Sequence, residues 1–215
     1  MVFGVILLLI ITSNVYSQIN TRSITLSSGL SHYVYDSEHT TNGPNGNASF
    51  SYTKYKNKKW SYSVGFSYAS AYFEHNSYAG AHLSKLKYVQ LPVLFSRRFF
   101  SYSNHNLNIS TGFFLSQLLE WSEGEVINGE QSNINYLDNV NHTAVGFRFS
   151  PGYSYQLSDR IKLHAKGAIS YKIGESTNRS ADGNTTMFTS LDDCLSLSVN
   201  MEIEVLFGNI SNAWD

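Results

Sequence analysis

One cysteine, Cys194, occurs in the chain, so no intramolecular disulfide can staple a core. Prolines number three, Pro44, Pro92 and Pro151, and long elements can therefore run almost without interruption. Charged residues make up 14% and the formal net charge is -1, so bulk charge attracts no nucleic acid and none is expected as a partner. No Lys or Arg precedes the apolar run Val5 to Ile11, which falls far short of the ~20 residues a membrane-spanning helix needs. There is no HExxH pair, no second cysteine to pair with Cys194, and no phosphate-binding glycine loop. Neither a catalytic residue nor a metal or other cofactor is assigned on these grounds.

What the chain has instead is aromatic residues, with 15 tyrosines and 13 phenylalanines, and a persistent alternation of apolar and polar side chains. Its opening, MVFGVILLLIITSNVYSQ, reads as a secretory signal over residues 1–17 with Val15-Tyr16-Ser17 at the cleavage end. Residues 18–215 then form one domain. An exported, aromatic-rich chain with alternating segments fits a transmembrane barrel, because only helices and closed barrels satisfy every backbone group in lipid.

The alternation is fullest in Cys194 to Phe207. Leu195, Leu197, Val199, Met201, Ile203, Val205 and Phe207 share one parity; Ser196, Ser198, Asn200, Glu202 and Glu204 share the other, broken only by Leu206. A period of two predicts a strand. Seven further segments alternate: Ser23 to Val34, Ala48 to Tyr55, Trp60 to Tyr68, Lys85 to Phe99, Leu107 to Leu119, Thr143 to Tyr155 and Arg160 to Ile173. Pro92, inside one of them, predicts a bulge or a broken ladder. Tyr72 to Leu83 and Glu120 to His142 carry no clear period and are expected as loops.

Eight strands joined by connections that run long, short, long, short, long, short, long predict an all-β, eight-stranded antiparallel up-and-down transmembrane β-barrel. Short periplasmic turns and long extracellular loops give that rhythm. Charge follows the same division. Twelve of the 16 Asp and Glu fall in the long connections, whereas the short turns carry Lys56, Lys58, Lys59, Arg97, Arg98 and Arg160.

The apolar parity is bulky and aromatic, the polar one rich in Ser, Gly, Ala and Asn. An eight-stranded barrel has room inside only for side chains, so bulk is expected to face lipid and small polar groups to fill the lumen. Arg148, Lys162, His164, Lys166, Lys172, Glu202 and Glu204 then enter the lumen as an ion-pair network, with Arg148 and the lysines opposite the two acids. Tyr62, Tyr68, Tyr153, Tyr155, Tyr171 and Phe207 are expected as interfacial aromatics.

Lys87 to Phe95, KYVQLPVLF, contains a Tyr-x-x-x-Pro pair, Tyr88 and Pro92; Gly112-Phe113 follows in the next strand, and Gly29 lies in the first. These elements resemble the outer-membrane β-barrel domain family of Bacteroidota that includes the PorT-like small barrels of gliding and secretion. The resemblance spans the chain after its signal and implies the same fold and location, in a family where many members have no assigned activity.

The expected function is that of a small closed outer-membrane barrel, a monomeric structural or interaction protein presenting acidic extracellular loops. Its partners would be outer-membrane lipid, lipopolysaccharide and an envelope protein. Alternatives are an accessory of a secretion or gliding machinery, as the resemblance implies, a diffusion pore, a soluble ligand-binding barrel with its faces reversed, and a lipid-modifying enzyme. The last would draw on His164 and Glu202 with Ser170 or Ser196.

Overall fold

The computed structural model describes residues 21–34, 40–42, 45–77, 80–127, 130–135, 143–173 and 193–208. The expected signal segment lies outside them, as do Asp36, Glu38, Asp138, Glu175, Asp182 and Asp192. In chain order the strands are β1 (Thr21–Val34), β2 (Thr40–Asn42), β3 (Asn45–Tyr55), β4 (Trp60–Ser77), β5 (Gly80–Tyr102), β6 (His105–Ile127), β7 (Glu130–Asn135), β8 (Thr143–Gln156), β9 (Ile161–Ile173) and β10 (Asp193–Gly208).

Eight of them close an antiparallel barrel. Each of β1, β3, β4, β5, β6, β8, β9 and β10 pairs with the next, and β10 returns to β1 through the register Thr21↔Gly208 to Val34↔Leu195. The short β2 and β7 attach to the outer ends of β4 and β6. The expected fold class is therefore the observed one, but the described residues of two expected loops are strand. β4 and β5 continue their ladder to Ser77↔Gly80, and β6 runs on to Ile127 to form a hairpin with β7. Period-two patterning comes from having one buried face and one lipid face. Beyond the bilayer that contrast disappears while the backbone ladder can continue, so the strands lose their sequence signature there.

Both strand prolines interrupt a ladder. The β4–β5 pairing passes from Val64↔Val93 to Ser67↔Gln90 without a step at Pro92, and the β8–β9 pairing from Phe149↔Ile169 to Gly152↔Lys166 without one at Pro151. The register is unchanged across both gaps, so the missing proline donor breaks the ladder locally and makes no bulge.

The two faces are sharply divided. Leu26, Leu30, Phe66, Phe113, Val199 and Met201 stand on the outer face with 48–70% of their surface exposed. Ser23, Ser67, Ser110, Ser116, Ser150, Ser154 and Ser170 are buried on the inner one. An apolar exterior this extensive is unstable in water and stable against acyl chains. Tyr68, Tyr153, Tyr155, Tyr171 and Phe207 are exposed on the outer face toward the strand ends. The protein is a transmembrane barrel of the outer membrane.

Candidate functional site

Small side chains on β1, β3 and β4 line one wall of the lumen. Their hydroxyls and amides bond across the ladders, as in Ser27 to Ser49 at 2.7 Å and Asn47 Nδ2, which donates to Ser31 Oγ at 2.7 Å. The adjoining wall, on β9 and β10, carries most of the long charged groups. Serines too short to meet that wall leave a cavity of about 140 Å³ between them. At roughly 10–15 Å³ for the smallest site that holds a water, it admits several. The lumen is thus less full than side-chain count for eight strands suggests.

Glu204 organises the end of the lumen next to the short turns. Its carboxylate accepts from Tyr55 OH at 2.5 Å, from Ser23 Oγ, and from His164 Nε2 at 2.8 Å, and Lys162 Nζ lies 3.8 Å away. Lys162 also lies over the Tyr55 ring at 5.3 Å. The register explains the convergence: Glu204 stands opposite Lys162 on β9 and Thr25 on β1, with Ser23 and His164 one inward position away along each strand. Both Glu204 and Lys162 are buried, so an ion pair with three further hydrogen bonds offsets a large desolvation cost. One level higher Lys166 Nζ meets Glu202 at 2.6 Å in a half-buried pair.

Arg148 forms no ion pair with either acid among the described residues, although the Glu202 charge still acts on it across the cavity. Its row runs Arg148↔Ser170↔Ser196, six residues up β10 from Glu202, or about 20 Å along the strand. Its Nε donates to Ser170 Oγ at 2.9 Å and its Nη2 to Gln90 Oε1 at 2.8 Å, while its guanidinium lies over the Phe114 ring at 5.3 Å. Lys172 sits over the Tyr88 ring at 4.7 Å. Tyr88 and Phe114 belong to a buried apolar layer with Leu86, Leu118, Ala71 and Ala144, on the side of the cavity toward the long hairpins.

Of the seven lumen residues expected from sequence, five therefore meet in two acid-centred groups, and Arg148 and Lys172 join the aromatic layer instead. Reasoning from charge alone missed Tyr55 and Ser23, neutral donors on the inner parity of their strands, and the layer itself. Its signal was present as bulky residues, Tyr88 and Phe114, on an otherwise small parity. Phe114 further requires Gly146, because a Cβ there would fall 2.1 Å from its Cζ.

The enzymatic constellation is not assembled. His164 stands opposite Glu202 in the ladder but gives its imidazole hydrogen bond to Glu204, while Ser170, six positions along β9 and about 20 Å away, is held by Arg148. Among the described residues no three His, Cys, Asp or Glu side chains converge as a metal site.

A closed eight-stranded barrel with lipid-facing apolar residues and a charged, serine-lined lumen defines the class, a small outer-membrane β-barrel. No family model matches the chain, and no curated protein matches it. Solved structures do. A major outer membrane protein from Thermus thermophilus superposes with a TM-score of 0.55 at 11% identity, over 86% of this chain and 99% of that one. Neisserial surface protein A gives 0.53 at 11% identity over 88% and 100%, and OprG from Pseudomonas aeruginosa 0.52 at 8% over 90% and 98%. At these identities the likeness is one of fold.

These findings correct the resemblance to the PorT-like barrels of Bacteroidota. The structural likenesses lie with small barrels outside that family, and the residues that suggested it serve general barrel geometry. Tyr88 belongs to the buried apolar layer, and Pro92 is buried where a ladder breaks. At Gly112 a Cβ would fall 2.0 Å from the Val93 carbonyl oxygen.

Proposed function

We propose that the barrel is a closed membrane anchor whose work is done by its outer hairpins and loops, as an interaction protein of the envelope. The observation that carries this reading is the buried layer of Leu86, Tyr88, Phe114 and Leu118, which projects from β5 and β6 beneath the hairpins to meet Arg148 of β8 and Lys172 of β9. Solute passage would require that layer to part. Above it, β4–β5 and β6–β7 rise as paired strands that carry Glu74, Glu120, Glu123, Glu125 and Glu130 in sequence. The partner is then a basic surface on an envelope or external protein, with lipopolysaccharide as the neighbouring lipid of the outer leaflet.

Planar-bilayer recordings of the purified protein are expected to show no stable conductance. A photoreactive residue at position 123 in intact cells should crosslink to a specific envelope or surface component. A steady channel current, or crosslinking to nothing but the protein itself, would overturn the reading.

A further inference from the structure

Six cations gather on one arc at the end bearing the short turns, five of them exposed or half-buried and one, Lys54, buried. They are Arg22 on β1, Lys54 on β3, Lys56, Lys58 and Lys59 between β3 and β4, and Arg97 on β5. Across residues 21–34 and 45–102 the sequence holds one acid, Glu74, at the opposite end of β4. Arg22 stands directly beside Lys54 in the β1–β3 ladder, Lys54 beside Tyr62, and Trp60 beside Arg97.

Arg22, Lys54 and Arg97 share the parity that faces lipid. Like charges at directly opposed positions of a sheet repel; Lys54 is buried and has its own partner, so the half-buried Arg22 is the member of the pair that can meet an anion. Arg22 Nε is buried without a hydrogen-bond acceptor among the described residues. The Arg97 guanidinium lies 5.1 Å from the Trp60 ring and 5.0 Å from the Phe99 ring, where interfacial aromatics mark the level of headgroups. The barrel end with short turns and both strand termini is the periplasmic one.

We propose that this arc binds the phosphodiester headgroups of anionic phospholipids in the periplasmic leaflet. A soluble phosphate would need only the cations. A lipid also uses the apolar ground on which they stand, since Phe95 and Phe207 face outward in the same row as Arg22, Lys54 and Tyr62. Lys56, Lys58 and Lys59 lie exposed in the turn beside this row; Lys58 and Lys59 also border the mouth of the lumen cavity, and their long side chains give them reach to neighbouring headgroups.

The test uses the full chain with Trp121→Phe and Trp214→Phe, which leaves Trp60 as reporter beside Arg97. In phosphatidylcholine vesicles, dibrominated phosphatidylglycerol should quench Trp60 as if enriched about fivefold over dibrominated phosphatidylcholine at equal mole fraction. The preference should fall toward unity in about 0.5 M salt, and added glycerol phosphate should leave it unchanged. The combined variant Arg22→Gln, Lys56→Gln, Lys58→Gln, Lys59→Gln should abolish it, while Arg160→Gln in the β8–β9 turn should keep it. Equal quenching by the two lipids in the parent chain overturns the proposal whether or not the variant folds. Displacement by glycerol phosphate would also overturn it and assign the arc to a free anion.

Discussion

At the residue scale the two acids of β10 look equivalent in sequence and are not. Glu204 is buried, accepts from Tyr55, Ser23 and His164, and faces a buried Lys162. Glu202 pairs with Lys166 where both keep some contact with solvent. Removing one partner of a buried pair leaves the other's charge in a poor solvent. Glu204→Gln is therefore expected to cost about 3–5 kcal/mol in urea unfolding of the lipid-inserted barrel. Glu202→Gln should cost only about 1 kcal/mol, so equal losses would refute the distinction. A second residue effect is favourable. Ser103, in the two-residue turn between Tyr102 and His105, has φ of 52°, a left-handed conformation that costs a residue with a Cβ. Ser103→Gly should gain about 0.5–1 kcal/mol in the same measurement.

Elements are positioned by a few close approaches. Phe114 can enter the lumen because β8 presents Gly146 to it, and Arg148 then covers the same ring. Gly146→Ala should push Phe114 from its place and destabilise the barrel by about 1–3 kcal/mol. Unchanged stability would mean that the aromatic layer is loosely packed. The strands of the barrel were legible in sequence, since each carries one lipid face and one polar face and so a period of two. The outer reaches of β4, β5 and β6 and all of β7 were not, because no such contrast marks them. Broken ladders at Pro92 and Pro151 were half legible. Proline announces a missing donor, but only the partner strand tells whether a bulge or a gap absorbs it.

On the scale of the whole molecule, the parity that faces out sets which solvent the barrel can live in. Met201, on the outer face of β10, is 61% exposed. Met201→Arg should cost about 2–4 kcal/mol of stability in lipid, whereas a water-facing position would tolerate it nearly unchanged. Alternation, the rhythm of connections and the size difference between parities together determined strand number, closure and the lipid face, because each follows from local chemistry repeated along the chain. The tertiary structure alone decided who meets whom inside. Cross-strand register sends Arg148 to Gln90, Ser170 and Phe114, and it brings Tyr55 and Ser23 to Glu204 across 149 and 181 residues of chain. Periodicity says which face a side chain takes, but the level it reaches depends on pairing between strands, and that is a property of the closed barrel.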